Sequence, residues 1–81
     1  MLKIDITGYQ DSRGYKPYGQ DYWDFTVTST TNNKTRTYYT MSQLGFRLDG
    51  RSVWTTYREA CKQVRAYAKA NGYDAIEVLN R

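Results

Sequence analysis

The sequence predicts an α+β fold, in which a mainly antiparallel β-sheet packs on one α-helix. Three segments alternate apolar with polar residues, as strands with one buried face do: 2–7, 22–30 and 35–41. A later segment, 56–71, repeats apolar residues at helical spacing between a capping signal and a glycine. The predicted order is three strands, a short β-hairpin, a helix and a final strand, within one domain over residues 1–81.

The first strand alternates Leu2, Ile4 and Ile6 with polar residues until Gly8 ends the pattern. The following segment, 9–21, is rich in Gly, Tyr and Gln and has neither helical nor strand periodicity. Connections of this length in small domains are usually functional or mobile. We therefore expect an irregular loop between the first two strands.

The second and third strands, 22–30 and 35–41, are predicted to form a hairpin around a turn at 32–34. A three-residue loop sets Val27 opposite Tyr39, so that apolar side chains of both strands share the inner face. The same register gives the pairs Thr31–Thr35, Phe25–Met41 and Thr28–Tyr38, and an outer face with Tyr22, Asp24, Thr26, Arg36 and Tyr38. A two-residue loop would turn one strand over, so the odd loop, or its equivalent with a bulge, is preferred.

A second, smaller hairpin is predicted within 44–55. Its first strand alternates the apolar residues Leu44, Phe46 and Leu48. The dipeptide Asp49-Gly50 that follows is a strong signal for a tight turn. Val53 and Trp54 then belong to the returning strand.

The helix is predicted to begin at a capping box, in which Thr56 is followed three residues later by Glu59. It ends at Gly72, with Tyr73 as the apolar contact beyond the stop. Its apolar stripe comprises Tyr57, Ala60, Cys61, Val64, Tyr67 and Ala68. The final short strand turns Ile76 and Val78 towards the core.

The net charge of +4 lies entirely within 51–72, which holds five basic residues and one acidic residue. Four of the basic residues share one side of the helix, within roughly 60° of arc and over ~16 Å of its length; this basic stripe is Arg58, Lys62, Arg65 and Lys69. A charged helix face is usually solvated, but most such faces mix signs and this one contains no acid. A phosphate backbone or an acidic protein surface would relieve the repulsion.

Residue types that commonly carry catalysis are scarce. The chain has no histidine, and its single cysteine, Cys61, falls in the apolar stripe, where a small core residue is expected. Asp11, Asp21 and Asp24 could converge near the tyrosine-rich loop, but solvated acids paired with Arg13 or Lys16 are the more frequent arrangement. We therefore expect no enzyme, no metal site, no cofactor and no small-molecule substrate.

The sequence also bears on location. The start has no basic region followed by an apolar run, and no stretch approaches the length of a membrane span. One cysteine permits no internal disulfide, which fits a reducing compartment. We expect a cytoplasmic protein without membrane contact, in the host cytoplasm if the gene is a phage gene.

The stretch RGYKPYGQDYW, 13–23, concentrates aromatic surface around two glycines and the only proline. Tyrosine supplies large contact area with few rotatable bonds, so this composition is typical of binding surfaces. The candidate partner-binding residues are Arg13, Tyr15, Lys16 and Tyr18, together with the basic stripe. The alternative is a lid, in which Tyr9, Tyr15 and Tyr18 fold back over a thin core, and the sequence leaves both open.

In size, scarcity of catalytic residues and stand-alone character, the chain resembles small phage-encoded proteins that block host defence, anti-CRISPR proteins among them. The resemblance implies a non-enzymatic inhibitor that occludes a surface of a larger host protein or ribonucleoprotein complex. It involves no motif and assigns no residue. The alternative hypothesis is an accessory protein that binds DNA or RNA directly through the basic stripe and outer-face aromatics.

Overall fold

The computed structural model describes residues 2–40 and 53–79 and has the predicted α+β class. Within these residues two helices and six strands are formed. They are β1 Ile4–Asp5, α1 Thr7–Arg13, β2 Gln20–Tyr22, β3 Asp24–Ser29, β4 Lys34–Tyr39, β5 Trp54–Thr56, α2 Tyr57–Asn71 and β6 Ala75–Val78. Neither α1 nor α2, the helices of these ranges, is long and apolar enough to cross a bilayer.

Four of the strands form the main sheet, in the order β1-β6-β3-β4. β6 lies antiparallel to β3, and β3 lies antiparallel to β4, while the short β1 is parallel to β6. β2 and β5 form a separate antiparallel pair. The sheet is thus mainly antiparallel, as predicted, and the last strand of the chain lies inside it.

The core lies between α2 and one face of the main sheet. The helix contributes Ala60, Val64 and Ala68, and the sheet contributes Phe25, Val27, Ile76 and Val78, all of them buried. The predicted apolar stripe and the inward direction of Ile76 and Val78 are therefore confirmed. Burial of one of the larger of these side chains, such as Phe25 or Val64, stabilises the fold by about 1.5–3 kcal/mol.

Both predicted ends of α2 are confirmed. The Thr56 hydroxyl accepts a hydrogen bond from the backbone N–H of Glu59 at 3.1 Å. At the other end Gly72 is left-handed, with φ 78°, and the N–H of Tyr73 donates to the carbonyl of Ala68 at 2.9 Å. Helix carbonyls that would lack partners are satisfied in this way by a Schellman-type stop.

The predicted loop over 9–21 is wrong in part, because α1 occupies its first third and β2 its end. α1 has no apolar stripe and Tyr9 is its one buried side chain, while at its start the Asp5 carboxylate accepts a hydrogen bond from the N–H of Thr7 at 3.0 Å. Packing of Tyr9 and this hydrogen bond both support α1, and apolar periodicity reveals neither. The irregular connection shortens to 14–19.

The predicted second strand, 22–30, is also divided. Tyr22 pairs with Trp54 in the small sheet, whereas Asp24 pairs with Tyr39 in the main sheet. The chain changes sheets at Trp23. Asp24, predicted on an exposed outer face, is buried.

The predicted hairpin register is wrong by three residues. Val27 lies opposite Arg36 and Phe25 opposite Tyr38, because the loop contains four residues, 30–33, with Asn33 at φ 55°. An odd shift exchanges the faces of β4. Tyr38, expected outside, therefore lies on the core side, where its ring centroid is 4.5 Å from that of Tyr67.

Asp74 explains the longer loop. Its carboxylate accepts hydrogen bonds from the backbone N–H of Thr30 at 3.0 Å and from the Thr30 hydroxyl at 2.7 Å. These bonds hold Thr30 outside the pairing of β3 with β4, and they come from a residue far along the chain.

The second predicted hairpin lies mostly outside the described residues, except that Trp54 begins β5.

The same hydrogen bonds predict a pH effect on stability. The Thr30 hydroxyl, and then its N–H, lower the pKa of the Asp74 carboxyl below its ordinary 3.8. Because the folded pKa lies below the unfolded one, the stabilisation is complete above about pH 4 and is lost as the pH falls through the folded value. The free energy of unfolding is measured by chemical denaturation at pH 5 and in strong acid. Between these two conditions it should fall less for Asp74→Asn than for the native protein. An equal loss in both would contradict this role.

Candidate partner-binding surface

Four aromatic side chains lead from the core to the surface beside α2. Trp23 and Tyr9 are buried, Tyr15 is 46% exposed and Tyr18 is 71% exposed. Successive ring centroids lie 5.9, 6.2 and 5.6 Å apart, the range of favourable aromatic pairs. The inner half of the cluster is therefore core, and its outer end presents Tyr18 to solvent.

The loop 14–19 that carries Tyr18 is held at several points. Gly14 and Gly19 have φ 81° and 77°, a left-handed conformation that glycine adopts without steric cost. Pro17 is buried, and the Gly19 carbonyl accepts a hydrogen bond from the N–H of Tyr57 at 2.8 Å. Tyr18 is thus exposed on a backbone that is anchored on both sides.

Pairing of β2 with β5 explains why this loop lies against α2. Gln20 lies opposite Thr56, which is both the last residue of β5 and the cap of α2. Gly19 therefore lies beside Tyr57, the first residue of the helix. The tyrosine loop and the basic helix, predicted separately, are neighbours for this reason.

Arg13, Tyr15 and Lys16 have different surroundings. The Arg13 guanidinium lies 5.0 Å from the Tyr9 ring centroid, a cation–π distance. A hydrogen bond with Tyr15 raises the pKa of Arg13 further. Arg13 and Tyr15 thus make contacts within the domain that support the loop, while Lys16 is exposed.

Three of the four residues of the basic stripe are exposed: Arg58, Lys62 and Lys69. Arg65 is half-buried, and its Nε donates to the Leu2 carbonyl at 2.8 Å. That bond ties the start of the chain to α2 and uses one of the five donors of the guanidinium. Arg65 is therefore structural as well as a candidate contact.

A groove of about 610 Å³ joins the two predicted features. Pro17, Tyr18 and Gly19 line one side, and Arg58, Cys61 and Arg65 line the other. We call it the tyrosine groove. Its walls combine an exposed aromatic ring with two cations, so that one ligand surface can contact both.

A second groove of about 820 Å³ lies along α2 and shares Arg65 with the first. Lys62 and Lys69 line it together with Leu2, Ala66 and Tyr73. We call it the helix groove. The basic stripe thus contributes side chains to two grooves, which the spacing of its charges alone does not indicate.

An exposed aromatic pair lies on the small sheet. Tyr22 is 45% and Trp54 54% exposed, and their ring centroids are 5.2 Å apart. The indole N–H of Trp54 donates to the Gln20 side chain at 2.8 Å. The sequence correctly predicted that Tyr22 is exposed, but it placed Tyr22 on the same outer face as Tyr38. It did not single out Trp54, which is the sole apolar side chain of β5.

The structure places the loop acids Asp11, Asp21 and Asp24 in different surroundings. In the part of the chain that the structure describes, no group of three His, Cys, Asp or Glu side chains is close enough to hold a metal ion. Asp11 is exposed, Asp24 is buried and Asp21 is half-buried. Asp21 accepts a hydrogen bond from the N–H of Tyr22 at 2.7 Å.

Cys61 is buried, as predicted, and it is also one of the residues that line the tyrosine groove. Burial raises the pKa of its thiol and, with a hydrogen bond between the two side chains, that of Tyr57 as well. Because the thiolate is the reactive form, a thiol reagent at mildly alkaline pH should label native Cys61 only as fast as the protein opens. Cys61→Ala should lower the free energy of unfolding by roughly 1 kcal/mol. Rapid labelling of the native protein would contradict a structural role.

Comparison with known proteins returned no matching family model, no matching curated protein and no matching solved structure. The function is therefore inferred from the geometry of this surface.

Proposed function

We propose that this protein is a non-enzymatic inhibitor of phage type, in the anti-CRISPR or another anti-defence class, that acts in the host cytoplasm. It occludes a functional surface of a larger host protein or ribonucleoprotein complex. The observation that carries the proposal is the tyrosine groove, in which Tyr18 and Arg58 face one ligand space. Tyrosine and arginine are the residue types that most often anchor protein interfaces.

Tyr18 has the properties of such an anchor. It is 71% exposed, yet its backbone lies between the buried Pro17 and the hydrogen-bonded Gly19. A ring on an ordered backbone loses little conformational freedom on binding, which lowers the free-energy cost of association. The tip of the loop, which carries Tyr18, therefore has the properties of an interface and not those of a lid over the core.

The charges of α2 indicate the chemistry of the partner. Arg58, Lys62 and Lys69 are exposed on one helix with no acid among them. A partner surface that carries carboxylates or phosphates would gain attraction and faster association from this stripe. The partner is therefore proposed to present negative charge next to a pocket for Tyr18.

A second candidate function is direct binding of DNA or RNA. The exposed Tyr22–Trp54 pair favours it, because exposed aromatic rings can stack on bases. Contacts of the three exposed cations with phosphates would give a log–log salt slope of about −3 on duplex DNA. Binding through α2 would then weaken for all sequences alike when Lys62 is reversed in charge.

Affinity capture from a host-cell lysate, with and without nuclease, separates the two functions. The native protein and Lys34→Glu, a control on the exposed start of β4, should capture the same protein after nuclease treatment. Tyr18→Ala and Arg58→Glu should lose it. Loss of all capture with nuclease would favour the second candidate, and equal capture by every variant would contradict a role for the tyrosine groove.

A further inference from the structure

The helix groove combines an apolar floor with a cationic rim. Leu2, Ala66 and Tyr73 contribute apolar surface, and Lys62, Arg65 and Lys69 contribute charge. Its volume of about 820 Å³ lies within the range of clefts that bind small molecules. A ligand that fits both properties has aliphatic and anionic groups side by side.

We propose that the helix groove binds a short acidic peptide segment with an aliphatic anchor. The aliphatic side chain packs on Ala66, and neighbouring carboxylates of the peptide pair with the cations of the rim. This proposal rests on the proposed function in one respect: the peptide segment belongs to the same partner that binds Tyr18. The helix groove would give that partner a second contact, with an acidic and aliphatic segment.

The spacing of the rim favours several carboxylates over one. Along the helix axis Lys62 and Arg65 are about 4.5 Å apart, and Arg65 and Lys69 about 6 Å apart. Alternate side chains of an extended peptide repeat at about 6.6–6.8 Å. An acidic peptide can therefore place a carboxylate near each cation, whereas a small anion or a fatty acid brings a single charge.

The floor favours an aliphatic anchor over a nucleic-acid base. Among the described residues of the groove, Tyr73 has the one aromatic ring, and it is buried and stacked on Tyr67 with centroids 6.0 Å apart. Such a ring offers no open face for a base to stack on. Ala66 is exposed and short, which leaves room for a branched side chain.

Arg65 keeps the groove in shape before any ligand binds. Its bond to the Leu2 carbonyl holds the start of the chain against α2 at 2.8 Å. Leu2 and Arg65 both line the groove, so this bond connects floor and rim. A preformed site loses less free energy to ordering when it binds.

The test uses a fluorescein-labelled octapeptide, EELEELEE, with an all-glutamate peptide, KKLKKLKK and an oligothymidylate of the same length as comparisons. Binding is measured by fluorescence anisotropy at low ionic strength, and the site is located by amide chemical shifts in NMR spectra. EELEELEE should bind about tenfold more tightly than the all-glutamate peptide, since part of each leucine is buried. The largest shifts should fall on the residues that line the helix groove.

Two matched variants separate the groove from general attraction by charge. Ala66→Arg fills the floor and adds a positive charge, while Ala70→Arg adds the same charge at an exposed position outside the groove. Arginine favours helix, so both variants should fold, which thermal unfolding checks. Ala66→Arg should weaken EELEELEE about tenfold, and Ala70→Arg should change it by less than about twofold.

Three results would overturn the proposal: equal effects of the two arginine variants, equal affinity for the all-glutamate peptide, or shifts of the groove amides by oligothymidylate and not by EELEELEE. None of these measurements requires the partner. If the peptide does not bind as expected while capture of the partner still depends on Tyr18, only the proposed peptide site in the helix groove is excluded. If the peptide binds as expected while capture is independent of Tyr18, the proposed function is wrong and the groove remains a peptide site.

Discussion

Trp23→Ala is expected to cause a large loss of stability. Trp23 is 2% exposed, its ring centroid lies 4.8 Å from that of Tyr57 and 5.9 Å from that of Tyr9, and its indole N–H donates to the Thr55 carbonyl at 3.0 Å. It therefore connects α1, β5 and α2 at the point where the chain changes sheets. Truncation of a buried tryptophan costs about 3–5 kcal/mol, against a total of roughly 4–12 kcal/mol for a domain of this length.

The other tryptophan provides the matched control. Trp54 is 54% exposed, and Trp54→Ala should cost about 1 kcal/mol or less, for its contacts with Tyr22 and Gln20. The stability of both variants is measured by urea unfolding, monitored by far-ultraviolet circular dichroism. Similar losses of stability for the two variants would mean that Trp23 does not hold α1, β5 and α2 together.

Tyr18→Ala is expected to weaken the partner complex about thirtyfold without destabilising the protein. Truncation of an interface anchor typically costs about 2 kcal/mol of binding free energy, which corresponds to that factor. Its ring is largely exposed and contacts Tyr15 at its edge, so the free energy of unfolding should change by less than about 0.5 kcal/mol. Isothermal titration with the captured partner and thermal unfolding give the two quantities.

Tyr15→Ala tests whether Tyr15 supports the structure of the loop, in contrast to Tyr18, which is proposed to bind the partner. Tyr15 contacts the rings of both Tyr9 and Tyr18 and is hydrogen-bonded to Arg13. Its loss should lower stability by about 1 kcal/mol, unlike the loss of Tyr18. A large drop in melting temperature for Tyr18→Ala, with affinity intact in the folded fraction, would instead make the whole loop a lid.

The sequence predicts the parts of this fold that depend on local signals. α2 is correct at both ends because Thr56, Glu59 and Gly72 each act within a few residues of the helix. The strands β3, β4 and β6 follow from alternation. α1 is missed because Tyr9 alone carries its packing, which no periodicity shows.

Register and strand order depend on contacts between distant residues. The four-residue turn is held by Asp74, and β6 enters the sheet between β1 and β3. Composition identified Tyr18 and the basic stripe as separate candidates. Their adjacency follows from the pairing of Gln20 with Thr56, which the sequence could not predict because it connects segments far apart in the chain.

Site-specific photocrosslinking tests most directly whether Tyr18 and Arg58 contact one partner surface. A benzophenone amino acid is placed in turn at Tyr18, Arg58 and, as a control, at Lys34 on β4, and the protein is irradiated in host cells. Positions 18 and 58 should crosslink to the same host protein, and position 34 should not. Crosslinks from position 34 alone, or different proteins from positions 18 and 58, would contradict a shared partner surface.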